Sequence, residues 1–249
     1  MSERGQSETI GFILIFSLII ISTGIIFVQG TTGLEQARND EQTQNAVRAF
    51  NILSANVEDI SRDAAPSRET EIQLGGGRLS VEEPMWFNVS ITDQNGVTET
   101  YPSYMYAITY ESEGAGTVVY SNSAVFRQYE TAGTTESVLV SKPQFKIRGS
   151  SILISQYRVR PEGGKTKSVS GSGTALIRTE GADSQVVLQQ NPSEVTVEIG
   201  PTPRRDTWIA HFEESGFSCT TPEPGVAECS KTSVDRVYIQ QFYIVSDLK

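Results

Sequence analysis

From Thr9 through Leu34 the chain carries no charged side chain, and Ile, Leu, Phe and Val fill most of residues 10–28. About 19 residues of that kind rise roughly 28 Å as a helix, matching the roughly 30 Å hydrocarbon core of a bilayer. Whatever the rest of the chain does, this segment has to be kept from water. A secretory signal would need a net positive start, a short apolar core and small residues at a downstream cut. Here Glu3 and Glu8 offset Arg4 and the terminal amine, the core is long, and Val28-Gln29-Gly30 is a poor cleavage site. The segment therefore reads as an anchor retained in membrane lipid. Arg4 lies on its short side, while Glu35, Asp40 and Glu41 outnumber Arg38 just beyond it, which directs the bulk of the chain outward.

Directly before the apolar run stands Arg4-Gly5-Gln6-Ser7-Glu8. A basic residue, Gly, Gln, Ser, an acid and then a spanning helix resembles the class III signal of archaeal type IV pilins and archaellins. The resemblance implies that a prepilin peptidase cuts between Gly5 and Gln6, leaving Glu8 at the membrane edge. Glycine leaves the backbone accessible to a protease, and an acid in the first helical turn is favoured by the helix dipole. In a filament, Glu8 would need a positive partner such as a neighbour's Gln6 amine. In an ordinary anchor it is simply a first-turn carboxylate.

Beyond the span the helical pattern continues. Leu34, Ala37, Val47, Phe50, Leu53, Val57 and Ile60 recur on one face, while Glu35, Asp40, Glu41, Arg48, Glu58 and Asp59 occupy others. Pro66 stops the helix near Asp63. A helix from Glu8 to Asp63 would be about 84 Å long, and only its second half can pack on a head. Gly24, Gly30 and Gly33 permit bending and close helix approach. This two-part helix is similar to the N-terminal helix of type IV pilins. The similarity covers roughly the first sixty residues and implies assembly contacts through Glu8, Leu34, Val47, Phe50, Leu53, Val57 and Ile60.

From about Glu71 onward the chain reads as strands. Met85, Phe87, Val89 and Ile91 alternate with Trp86, Asn88 and Ser90, and Asp93-Gln94-Asn95-Gly96 offers a turn. Further short strands are expected at residues 97–101, 104–110, 117–120, 124–129, 138–140, 145–148, 152–159, 174–179, 185–189, 195–199 and 237–245. One helix is expected where Asp206 can cap, Trp208 and Phe212 share a face, and Gly216 closes the last turn. Both aromatics suit the core of a short helix better than a ligand groove. Cys219 and Cys229, the only cysteines, lie in a Pro-flanked, loop-like stretch and read as a disulfide if the head is outside the cell. A helix beside a cysteine pair also resembles heads of haloarchaeal pilin-like proteins. Asn88-Val89-Ser90 is a glycosylation sequon on the polar face of its strand. The fold class is α+β: a long N-terminal helix followed by a mostly antiparallel, β-sandwich-like head. The expected divisions are a leader at 1–5, the pilin-type helix at 6–65 with its membrane segment at 10–28, and the head at 66–249.

The balance of 20 basic against 30 acidic residues, without a basic stripe, argues against nucleic acid as a partner. It also suits a protein working in concentrated salt. No nucleophile elbow, P-loop, dinucleotide fingerprint or HExxH is present, and Gly75-Gly76-Gly77 and Gly171-Ser172-Gly173 are turn punctuation. One histidine, His211, with two cysteines gives no metal set. No catalytic residue and no cofactor are expected. The resemblance implies a structural subunit of an archaeal type IV pilus-like surface filament, or a minor pilin acting in adhesion. Its partners would be a prepilin peptidase, other copies or other pilins, an assembly ATPase with its platform protein, and membrane lipid. The competing reading is a monomeric anchored binding protein.

Overall fold

The computed structural model describes residues 3–63, 65–81, 84–114, 116–131 and 133–249, with side chains described from Ile10 onward except that of Thr131. The chain divides into two compact units, Met1–Glu41 and Gln42–Lys249. Helix α1 (Glu3–Asp63) supplies all of the first described unit and the opening of the second. The second unit is the head, and it begins well before residue 66.

Seventeen strands follow among the described residues: β1 (Ser67–Gln73), β2 (Arg78–Val81), β3 (Met85–Thr92), β4 (Thr98–Tyr101), β5 (Tyr104–Met105), β6 (Ile108–Ser112), β7 (Gly116–Ser121), β8 (Ala124–Thr131) and β9 (Thr134–Ser141) in the first half. The second half holds β10 (Lys146–Arg148), β11 (Ser151–Pro161), β12 (Ser168–Ser170), β13 (Thr174–Gln190), β14 (Glu194–Ile199), β15 (Ser218–Thr220), β16 (Ala227–Thr232) and β17 (Arg236–Leu248), with helix α2 (Arg205–Glu214) between β14 and β15. They form three sheets with orders β1-β13-β17-β11-β10, β12-β2-β6-β7-β8-β9 and β15-β16-β14-β3-β4. Every pairing is antiparallel except that of β11 with β17, which is parallel. The expected α+β class with a mostly antiparallel head is what the structure has.

Two apolar cores fill the head. In the first, Ala46, Phe50, Leu53, Val57 and Ile60 of α1 meet Ile72, Leu79, Ile108, Tyr110, Tyr120 and Val159. In the second, Phe87, Val89, Ile91, Val195 and Val197 meet Trp208 and Phe212 of α2. Strands β7 and β8 serve both: Val118, Tyr120 and Val125 enter the first core, Val119, Ala124 and Phe126 the second. Alternation of side chains across a strand makes this possible only if both faces are covered.

The two long parallel strands change allegiance part-way. Ile152 and Ile154 of β11, with Val237 and Ile239 of β17, belong to the second core; Tyr157 and Val159, with Phe242 and Ile244, belong to the first. At the switch Gln156 and Gln241 are register partners, both buried. Gln241 Nε2 donates to Gln156 Oε1 at 2.7 Å, and Gln156 Nε2 donates to the Phe87 carbonyl at 2.7 Å. A buried amide pair that finds partners of this kind holds one register against its alternatives.

Polar groups tie α1 to the sheets along the flanks of its buried stripe. Gln42 Nε2 donates to the Gly75 carbonyl at 2.7 Å, Asn56 Nδ2 to Thr70 Oγ1 at 2.9 Å, and Ser54 Oγ to the Ser123 carbonyl at 2.8 Å. That last carbonyl belongs to the two-residue turn between β7 and β8, where Asn122 and Ser123 have φ of 48° and 64°. Such a turn follows the twist of a hairpin, and asparagine tolerates it better than most residues. This tip is buried, and Asn122 Oδ1 accepts from the Tyr157 backbone N–H at 2.8 Å.

If α1 is a core element of the head, Leu53→Ala should destabilise the head by about 2–5 kcal/mol. Denaturant unfolding of the full chain in micelles, followed by Trp208 fluorescence, measures this; an exposed-site control, Ile52→Ala, should change it by less than about 1 kcal/mol.

Candidate membrane anchor and processing site

The apolar segment lies within α1, and its large apolar side chains between Ile10 and Val28 are 53–71% exposed. In water this surface would be strongly unfavourable. Three of its hydroxyls bond back to the helix: Ser22 Oγ donates to the Leu18 carbonyl at 2.7 Å, Thr31 Oγ1 to the Phe27 carbonyl at 3.1 Å, and Thr32 Oγ1 to the Val28 carbonyl at 3.0 Å. A hydroxyl satisfied by its own helix can face lipid without a water partner. The helix is long and apolar enough to cross a membrane. A Cβ at Gly24, Gly30 or Gly33 would meet nothing within 4 Å, so no contact inside the chain calls for glycine there.

Gly5, Gln6 and Glu8 lie in the helical backbone of α1, but the side chains of Gln6 and Glu8 are outside the described residues. Among the residues expected to mediate assembly, Leu34 is exposed and Val47 half-buried. Phe50, Leu53, Val57 and Ile60 are buried in the first core of the head. Their apolar stripe is occupied by the chain's own sheets, so these four are core residues and offer no surface to a second copy. The helical spacing was legible; the partner of the stripe was not.

Cys219 and Cys229 form the disulfide. They are not in a loop: they are direct register partners on β15 and β16, and the bond closes the hairpin over the Pro-containing connection. Beside it, α2 ends in a Schellman arrangement. Phe217 N–H donates to the Phe212 carbonyl at 3.0 Å and Gly216 N–H to the Glu213 carbonyl at 2.9 Å, with Gly216 at φ 81°. The rings of Phe212 and Phe217 pack edge-on at 5.2 Å, the apolar contact that accompanies this stop. The start differs from expectation. Arg204 occupies the N-cap without a side-chain cap bond, and Asp206 is the second helical residue, in the first turn and paired with Arg205. There its carboxylate favours the helix through the dipole and caps nothing.

Trp208 and Phe212 are fully buried against Phe87, Phe126 and Phe145. Asn88 is half-buried on β3, between β14 and β5, and its Oδ1 accepts from the Ser103 N–H at 3.4 Å. Among the described residues no three His, Cys, Asp or Glu side chains are grouped to hold a metal ion.

His211 is buried on α2 between Phe145, Trp208 and Phe212, and neither ring nitrogen has a hydrogen-bond partner. Burial pushes its pKa down, nearby Lys142 adds to this, and Glu214 opposes it. The folded chain therefore binds a proton at His211 less readily than the unfolded chain, whose imidazole titrates near its ordinary 6.5. This contribution to stability is complete above that value and is lost as pH falls through the folded pKa. Melting temperature should drop between about pH 7 and pH 5, and His211→Phe should flatten that part of the profile.

Comparisons with known proteins match nearly the whole chain to one family. A family model described as "Family of unknown function (DUF7289)" matches residues 4–245. An uncharacterized protein of Archaeoglobus fulgidus is 27% identical over 81 residues, 32% of this chain. The match spans about a quarter of that relative's own length, 27%. Among solved structures, the ywiB protein from Bacillus subtilis aligns over 65% of this chain and 91% of its own at 9% identity, with a TM-score of 0.17, too low to indicate a shared fold.

Proposed function

This chain belongs to the DUF7289 family, a family of unknown function, and from that premise we propose that it is a structural subunit of an archaeal type IV pilus-like surface filament. The observation that carries the proposal is the exposed apolar surface of residues 10–28 placed directly behind Arg4-Gly5-Gln6-Ser7-Glu8. A helix of this kind is stored in lipid and later buried among copies of itself. A prepilin peptidase removes residues 1–5, and Glu8 then meets the amine of a neighbour's Gln6. An assembly ATPase and its platform protein extract the subunit from the membrane, with the head outside the cell. A disulfide in the head suits an exported domain, and a matched relative comes from an archaeon.

Replacing Gly5 by a bulky residue should abolish cleavage, while the unaltered chain should begin at Gln6 after expression in cells with an active prepilin peptidase. N-terminal sequencing and intact mass read both. Recovery of an N-terminus at Met1 or Ser2 from such cells would end the filament reading.

A second reading, a monomeric anchored surface protein, gains support from the burial of Phe50, Leu53, Val57 and Ile60 in the head, since these four are then withheld from self-contact. Cysteine cross-linking at exposed Leu34 separates the two. Ladders of cross-linked copies are expected for a filament subunit, and monomers alone for a lone anchor.

A further inference from the structure

The head carries an open groove of about 900 Å³ that the filament reading does not use. It is framed by the turn before β2, the β6–β7 connection and the far half of β8. Two glycines set its walls. A Cβ on Gly77 would lie 2.6 Å from the Glu111 carbonyl oxygen, and one on Gly116 would lie 2.8 Å from the Gln128 carbonyl oxygen, where φ is also 82°. Close backbone approach of this kind needs glycine.

The lining holds opposite charges that do not neutralise one another. Arg78 and Arg127 lie along the groove with Glu111, Glu113 and Glu130, and among the described residues none of these side chains forms an ion pair. The Arg127 guanidinium instead lies over the Tyr129 ring, 4.7 Å from its centre, and its Nε is buried without a hydrogen-bond partner. Gln128, which also lines the groove, is only 6% exposed. Its Oε1 accepts from Arg204 Nη1 at 3.4 Å, while its Nε2 has no partner. This Nε2 and the Arg127 Nε are both closed off from solvent, so they shape the groove wall and are not offered to an occupant.

We propose that this groove binds a neutral oligosaccharide. Each sugar hydroxyl both donates and accepts, so it can use the acceptor-only carboxylates of Glu111 and Glu113 together with the donor-only guanidinium groups of Arg78 and Arg127. The exposed part of the Tyr129 ring offers an apolar edge to the C–H face of a pyranose. A sulfate or phosphate would meet three carboxylates, and a polycation would meet two guanidinium groups; a polyol meets neither objection. The groove lies wholly within the head, so the inference stands whether or not the chain polymerises.

The test uses the full chain in phospholipid nanodiscs, free of sugar-based detergent. Saturation-transfer NMR is recorded with maltotriose, cellotriose and chitotriose, and with inorganic sulfate as a competitor. Transfer to at least one trisaccharide is expected, with affinity weakened roughly ten-fold in Arg78→Ala and in Tyr129→Ala. Arg78 is exposed, so an unchanged melting temperature in Arg78→Ala separates loss of binding from loss of fold. Absence of transfer to all three sugars overturns the proposal, as does transfer that persists undiminished in Arg78→Ala and Tyr129→Ala. Displacement of a bound trisaccharide by sulfate alone would make the groove an anion site and overturn it as well.

Discussion

The packing of one stripe of α1, from Ala46 through Ile60, into the sheets of the head is the contact on which the rest of the structure depends. Without it, Ile72, Leu79, Tyr110, Tyr120 and Val159 would have no common partner, and the first core would be open on one side. Burial of six apolar helix side chains is a large part of what stabilises a domain of this size. The polar flank of the stripe then fixes its register, because Gln42, Ser54 and Asn56 each place a donor on a specific backbone or hydroxyl oxygen of the sheets. The helix is thus a structural member of the head and cannot be treated as a detachable stalk.

That contact also explains the buried hairpin tip. The β7–β8 turn has to bring Ser121 and Ala124 together beneath the helix, in a space where a longer loop would leave backbone groups unpaired. Two residues at positive φ solve this, at some cost for Ser123, and the cost is offset by bonds from Ser54, Gln144 and Tyr157 to the turn. The second core is organised differently. Its centre is the aromatic group around Trp208, set by a helix whose start is uncapped by any side chain and whose end is firmly stopped at Gly216. The Gln156–Gln241 pair stands where the two cores meet.

Much of this was legible in the chain itself, for identifiable reasons. The alternation in residues 85–92 follows a half-buried strand, and Met85, Phe87, Val89 and Ile91 are buried while their neighbours are half-buried. The turn at residues 93–96 carries its own chemistry: Asp93 Oδ1 accepts from the N–H groups of Asn95 and Val97, and Gly96 takes positive φ. The parallel pairing of β11 with β17 was not legible, since the two strands are far apart in sequence and no local pattern encodes a partner. Their change of face was hidden for a related reason. In Ile154-Ser155-Gln156-Tyr157 and Gln241-Phe242 adjacent residues are buried, which breaks the period of two that marks a strand. The glutamines in those runs were the available signal, because an amide amid apolar neighbours needs a partner nearby. The cysteines read as loop residues because β15 is three residues long, too short to show alternation. The groove was invisible because its residues come from separate turns, and Gly76 and Gly77 look like any other turn glycines.

The helix meets three different environments along its length, and the residues change with them. Residues 10–28 are apolar on nearly every side, so apolar surroundings suit them, whether lipid or other helices. Residues 43–60 are amphipathic and committed to one fixed partner, the head. Between them, residues 29–42 are mostly exposed, carry Glu35, Arg38, Asp40 and Glu41, and include Gly30 and Gly33, where nothing in the chain lies within contact of a Cβ. Each glycine weakens the helix by about 1 kcal/mol relative to alanine, so the two together make this the stretch where bending is least costly. A subunit that exchanges lipid for protein around its first segment, while its head stays folded, has to confine any change of direction to such a stretch. Under the filament reading proposed above, residues 29–42 are the stretch where such a change would fall.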